Sequence, residues 1–191
     1  MHIDFSENAW DKSLLVPAHS KRFTQAPRFT QRKGWIENKE DPTTPDGYEY
    51  VGLVTKEKFG VGTTVSVECD FHKFGAPLIT LAQSIEPDKF GELRFGFYYE
   101  LVLYEQGINF WHHYTDTDGV QRWHLDLGAY FPVEAGVRHK IAVGIRQNYF
   151  DLYADDKKFS LHIDDMAPSF HVGPSACEGI NRFFCMDVTQ N

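Results

Sequence analysis

The sequence predicts an all-β domain, built as a two-sheet antiparallel sandwich or a barrel. Three observations carry this. Helical periodicity is almost absent. Roughly a dozen short segments read as strands, with turn signals about every 8–12 residues. Aromatics make up 15% of the chain, with 16 Phe and 9 Tyr, and aromatic side chains favour strands. The chain has 191 residues, enough for one sizeable core. It contains no internal repeat and no low-complexity tract.

Along the chain, Met1 to about Pro27 is polar and interrupted by proline. It predicts a segment that wraps the domain and adds at most short strands. Residues 1–33 are therefore read as an N-terminal extension and residues 34–191 as the sandwich. Lys39–Gly47 (KEDPTTPDG) is a loop by its Pro, Asp and Thr content. YEYVGLVTKEKFG supplies the next strand. TTVSVECDFH alternates most clearly, with Val65, Val67, Cys69 and Phe71 on one face and Ser66, Glu68, Asp70 and His72 on the other. APLITLAQ is a continuous apolar run suited to a strand buried on both sides. ELRFGFYYELVLYE reads as one long strand, which puts Glu100 on a face with Arg94, Gly96, Tyr98 and Val102. HKIAVGIRQ alternates, YFDLYADDKKFSLHI turns at Asp155-Asp156, and NRFFCMDVTQ closes the chain. IDDMAPSF could form one short turn. Val65, Val67, Phe71, Ile141, Val143, Ile145, Trp123 and Leu125 are the expected core.

Between these strands lies NFWHHYTDTDGVQRWHLDL, Asn109–Leu127. A two-residue Asp118-Gly119 turn would pair His113 with His124, Tyr114 with Trp123 and Trp111 with Asp126. One face would then hold Phe110, His112, Tyr114, Trp123, Leu125 and Leu127. The other would hold Asn109, Trp111, His113, Arg122, His124 and Asp126, a polar surface with one Trp. Such a surface is either a solvated outer face or a platform on which a sugar ring stacks.

Charge narrows the partners. There are 19 basic and 27 acidic residues, a net charge of −8, and no Lys/Arg stripe. A nucleic-acid partner needs a basic footprint, so none is expected. No apolar stretch approaches the ~20 residues that span a bilayer, so no membrane partner is expected. No signal-peptide pattern is evident at the N-terminus. Cys69, Cys177 and Cys185 form no CxxC motif, and reduced thiols in the cytoplasm are the expectation.

Three stretches carry a family resemblance. DGYEYVGLVTKEKFGVGTTVSVECDF resembles the opening strands of the concanavalin A-like lectin/glucanase superfamily. GVRHKIAVGIRQNYFDLYADDKKF resembles the laminin G-like hairpin. FHVGPSACEGINRFFCMDV is similar to the superfamily's closing segment. The resemblance runs from about Gly34 to Val188 and rests on the order of these motifs more than on any one. It implies a jelly-roll sandwich with one concave sheet whose groove is the usual carbohydrate site. Members include lectins, glycoside hydrolases, lyases and interaction modules, so fold alone does not set the activity. The laminarinase-type hydrolases carry E-x-D-x-x-E on one strand. Here the nearest text is ECDFH, Glu68 to His72, without the last Glu.

The leading expectation is a lectin-like carbohydrate-binding domain, with Arg94, Tyr98, Glu100, Trp111, His113, His124 and His72 as ligand contacts. The alternatives are a carbohydrate-active enzyme using Glu100 with Glu68 or Asp70, and an interaction domain without a sugar site. Arg94 beside Glu100 would keep that carboxylate ionised, a good acceptor and a poor general acid. Glu178, Asn181 and Arg182 sit in a Gly-containing loop suited to a groove rim. His113 and His124 offer two metal ligands where a catalytic zinc needs about three, so no metal site and no cofactor are expected. Asp187 is similar to an acidic ligand of the structural calcium found in some superfamily members.

Overall fold

The computed structural model describes residues 1–190 and contains strands and turns, with no helix among them. The strands are β1 (His2–Asp4), β2 (Leu15–Pro17), β3 (Thr30–Gln31), β4 (Ile36–Glu37), β5 (Val51–Thr55) and β6 (Phe59–Gly60). They continue with β7 (Thr63–His72), β8 (Ala76–Ala82), β9 (Ile85–Pro87), β10 (Leu93–Phe95), β11 (Tyr98–Tyr104) and β12 (Gly107–Thr115). The last six are β13 (Gln121–Tyr130), β14 (His139–Ile145), β15 (Tyr149–Ala154), β16 (Lys157–His162), β17 (Ser169–Cys177) and β18 (Ile180–Gln190). Two large sheets stack face to face. The first runs β16-β15-β14-β7-β18-β4-β3, with β1 added on β18. The second runs β13-β12-β11-β8-β17-β5-β2, with β6 on β17. Every ladder within them is antiparallel, and β9 and β10 form a separate small hairpin. This is the jelly-roll sandwich expected.

Period-two alternation builds the core. Val65, Val67, Cys69, Phe71, Ile141, Val143 and Ile145 of the first sheet are all at most 1% exposed. They face Ile79, Leu81, Leu101, Leu103, Ile108 and Phe110 of the second. Tyr99 and Phe110 meet Phe150 across the sandwich at 5.1 and 5.3 Å between ring centres, so aromatic pairs knit the two sheets. The chain changes sheets at a tight corner. Lys73 and Phe74 take φ of 54° and 63°, and Gly75 lies against the Glu178-Gly179 corner, where a Cβ on Gly179 would sit 2.2 Å from the Gly75 nitrogen. Only glycine fits so close a backbone approach. The segment 1–33 is woven in: Ile3, Phe5 and Leu15 are core residues, and β1, β2 and β3 each pair with a strand of the main sheets.

Two local predictions change. The presumed long strand at 92–105 is broken. Gly96 leaves the line by bonding Ser84 O, so Arg94 lies on β10 and Glu100 on β11. The hairpin turn has three residues between the Asp116–Val120 pair. Asp116 Oδ1 accepts from the Asp118 and Val120 amides, and Gly119 takes φ of 79°. A three-residue loop with a left-handed glycine is a recognised hairpin form. It shifts the register by one, pairing His112 with His124, His113 with Trp123 and Trp111 with Leu125. A one-residue slip moves side chains to the opposite face. Trp123 and Leu125 are therefore 50% and 37% exposed, not core. A bulge at Asp126 then restores Leu127 to the core side, opposite Phe110.

Candidate functional site

The outer face of the second sheet carries an ordered set of side chains. Opposed residues on antiparallel strands share a face, so one transverse row reads Ala82, Tyr98, His113, Trp123 and the next reads Thr80, Glu100, Trp111, Leu125. His113 Nε2 donates to Glu100 Oε2 at 2.8 Å. The His113 ring lies flat against Tyr98 at 4.3 Å and 6°. Tyr98 is fully buried and bonds Ser20 Oγ at 2.7 Å through its hydroxyl. Thr80 and Ser175 hydroxyls bond each other at 2.8 Å beside them. Trp111 packs on Leu78 and Val102. Glu100 is the sole carboxylate on this floor among the described strands: its neighbours on β8, β11, β12 and β17 are apolar, hydroxyl, amide or imidazole side chains.

The N-terminal segment forms one wall. A cavity of about 220 Å³ opens over Glu100, Tyr98, Leu78 and Cys177, bounded by His19, Ser20, Arg22 and Phe23 and, from the 41–50 loop side, by Asp46 and Tyr50. Phe23 stacks on Tyr50 at 3.8 Å. The Arg22 guanidinium lies 4.2 Å over the Trp123 ring, so a cation covers that indole. Arg94 holds this wall in place. Only 6% exposed, it donates to the carbonyls of Phe23, Thr24 and Gln25 at 3.1–3.2 Å and to Asp88 Oδ2 at 2.9 Å. Gly52 lets the wall approach, since a Cβ there would lie 2.2 Å from Ala18 O.

Titration follows position. Burial, with help from Asp46, raises the Glu178 carboxyl above its ordinary range, and Arg22 partly opposes this. Burial pushes the Cys177 thiol well up, and the Glu100 and Glu178 charges push it further, leaving it a poor nucleophile. Burial lowers His19 to about 4, reinforced by Arg28 and Arg94. His19 is thus neutral, and its Nε2 accepts from Arg28 at 2.9 Å.

The structure brings Glu100, Tyr98, Trp111 and His113 together on one face. The other five predicted site residues lie elsewhere. Arg94 is committed to the wall and does not bond Glu100. His124 points to the opposite side of its strand, toward His112 and Asp126. Glu68, Asp70 and His72 alternate with core residues of β7, which puts them on the outer face of the first sheet, with the whole sandwich between them and Glu100. There Glu68 faces Arg138 at 3.4 Å, while Arg182 donates to His72 Nε2 at 2.8 Å and lies 3.7 Å from Asp70. A Glu100–Glu68 or Glu100–Asp70 catalytic pair is therefore excluded by topology. The loop residues Asn181 and Arg182 belong to other surroundings, whereas Glu178 does line the groove. Asp187 pairs with His2 at 2.7 Å. Arg22, Phe23 and Tyr50 carry no sequence motif; the DTDG turn was the one signal that could have placed Trp123.

Comparison with protein-family models and with curated proteins finds no match. Solved structures do match. A structure from work on endo-acting O-glycanases of the human gut microbiota superposes with a TM-score of 0.67 at 13% identity, covering 100% of this chain and 98% of that one. A Bacteroides ovatus glycoside hydrolase of the mixed-linkage glucan system, in complex with a product, gives 0.63 at 12% identity, with 99% of each chain covered. The chain has the concanavalin A-like jelly-roll fold. A carbohydrate-binding module from Bacillus subtilis also superposes, with a TM-score of 0.58 at 12% identity over 82% of this chain and 96% of that one. At these identities the concanavalin A-like likeness is one of fold.

Proposed function

We propose that this chain binds a neutral carbohydrate on the outer face of the second sheet, in the cavity over β8, β11 and β17 and along the adjoining β12, as a lectin-like domain. The observation that carries this is the groove floor: a single carboxylate, Glu100, fixed by His113 and flanked by the indole of Trp111, with Trp123 beyond. A carboxylate held by an imidazole N–H accepts hydrogen bonds from sugar hydroxyls, and an indole offers an apolar face to a pyranose ring. Glu178 and Asp46 on the rim disfavour anionic sugars.

Glu178 supports a second reading. Its raised pKa and its place on the same cavity as Glu100 are what a general acid requires. The ladder separates them, however. Cys177, which precedes Glu178, is two strands across and four residues along from Glu100, roughly 16 Å between Cα atoms at ordinary sheet spacings. That is wide of the ~5–5.5 Å carboxyl spacing of a retaining glycosidase and admits an inverting pair only if both side chains reach inward. Binding is therefore the better fit.

The test is a glycan array followed by calorimetry with neutral oligosaccharides, using wild type, Trp111→Ala, Glu100→Gln and Glu178→Gln, with product analysis in parallel. Binding is expected in wild type, at least about tenfold weaker in Trp111→Ala and Glu100→Gln, with no product formed. Turnover that disappears in Glu178→Gln would establish the hydrolase instead. An array with no ligand would leave the interaction-domain reading.

A further inference from the structure

We propose that His112, His124 and Asp126 form a binding site for a divalent transition-metal ion, represented by Zn²⁺. The site is on the side of the β12–β13 hairpin away from the groove. Register and bulge create it together. The three-residue turn places His112 opposite His124, and the bulge makes Asp126 the extra residue between the Phe110–Leu127 and Trp111–Leu125 pairs. Its carboxylate consequently faces both imidazoles. His112 Nδ1 lies 2.8 Å from each Asp126 oxygen, and His124 Nδ1 lies 3.1 Å from Oδ1. One donor atom from each residue can be chosen so that all three lie within 4.8 Å of one another.

These distances are close to what a metal needs. Zn–N and Zn–O bonds of about 2.0–2.1 Å in a tetrahedron put neighbouring donors about 3.3 Å apart. The two N···O separations fall about 0.5 and about 0.2 Å short of that edge. Closing the remaining side requires movement of one ring, and His124, with 66% of its side chain exposed, is free to supply it. His112 is held more firmly, with Phe97 stacked on it at 5.8 Å and Tyr114 at 5.5 Å. Binding through Nδ1 requires that nitrogen's lone pair, so each coordinated ring carries its hydrogen on Nε2. Two imidazoles and a carboxylate suit zinc and its neighbours; calcium and magnesium prefer oxygen ligands alone. Three protein ligands leave a fourth position toward solvent on the His124 side.

The proposal does not depend on the glycan reading. Its test is zinc titration by calorimetry at pH 7.5 on the full chain, stripped by chelator and free of any histidine tag, with Co²⁺ absorption as a second readout. The variants are His124→Ala, Asp126→Asn and, as control, His162→Ala, an exposed histidine elsewhere. Circular dichroism verifies folding, and His124→Ala decides alone if Asp126→Asn does not fold. One Zn²⁺ per chain is expected, weakened at least about tenfold in His124→Ala and Asp126→Asn, since loss of even an outer-shell partner costs about that much, unchanged in His162→Ala and undisturbed by millimolar Ca²⁺. Absence of binding, or equal binding in wild type and His124→Ala, would overturn the site and leave a hydrogen-bonded His–Asp–His cluster.

Discussion

Replacing Arg94 with Ala should loosen the wall of the groove. Three backbone carbonyls, those of Phe23, Thr24 and Gln25, lose a guanidinium donor at once. A buried hydrogen bond is worth about 1 kcal/mol net, and somewhat more when one partner is charged. The sum is about 3 kcal/mol, leaving out the pair with the solvent-accessible Asp88. For a chain of this size about 2–4 °C of melting temperature accompanies each kcal/mol, so Tm should fall by about 6–12 °C. Arg94→Lys should recover little, because one ammonium cannot reach acceptors that a planar fork reaches together. The effect should also be local. Ser20 remains tied to Tyr98, and Phe23 to Tyr50, so the wall frays without detaching, and trypsin should cut faster after Lys21 and Arg22. Calorimetric melting and timed trypsin digestion measure the two effects. A Tm within about 2 °C of wild type together with an unchanged digestion pattern would refute the reasoning.

Other outcomes follow from burial and register. Phe71→Ala and Phe110→Ala should each cost about 3–5 kcal/mol in urea unfolding, since both side chains are fully buried; Trp123→Ala, losing chiefly the Arg22 contact, should cost under about 1 kcal/mol. A large loss at Trp123 would return it to the core. Stability should fall as pH drops from about 6.5 to about 4, because His19 stays neutral in the fold while the unfolded chain takes up the proton; at about 1.4 kcal/mol per tenfold change in proton affinity this reaches about 3 kcal/mol. His171, also held neutral by burial, adds to the same slope, so His19→Leu should flatten the profile and the double variant with His171→Leu should flatten it further. An identical slope in wild type and His19→Leu would exclude His19 as the cause.

Alternation made the strands legible and their sheets illegible. Val65 to Phe71 declares which residues of β7 share a face, and the structure agrees residue by residue. Nothing in that pattern says which sheet β7 joins, because both sheets bury one face in the same core. Alternation alone therefore allows Glu68 and Asp70 to neighbour Glu100, although the sandwich separates them. Arg94 departs from the expected face for a different reason. The run ELRFGFYYE alternates smoothly through Gly96, but a Cβ at Gly96 would sit 2.2 Å from Ser84 Oγ, and the glycine marks a break. In β12 every face assignment of the hairpin holds. In β13 the polar/apolar separation pointed to an even loop, while the Asx turn at Asp116 and the left-handed Gly119 required an odd one.

That departure has a physical logic. A strand with Trp123 and Leu125 facing the groove and His124 and Asp126 facing away exposes apolar surface and turns polar groups toward the core side, a costly arrangement for an ordinary edge strand. The cost is offset on both sides. Arg22 covers Trp123 from the wall, and His112 and His124 share the Asp126 carboxylate so that its charge is not left bare. The bulge confines the inversion to one end of the strand, because Leu127 and Ala129 return to the main core beyond it. Bulges are favoured where a side chain must be re-aimed, often beside functional sites. Here the three-residue turn aims an indole outward, and the bulge aims a carboxylate at two imidazoles behind it. An ion held by His112, His124 and Asp126 would therefore pin the register that turns Trp123 and Leu125 to the outer face.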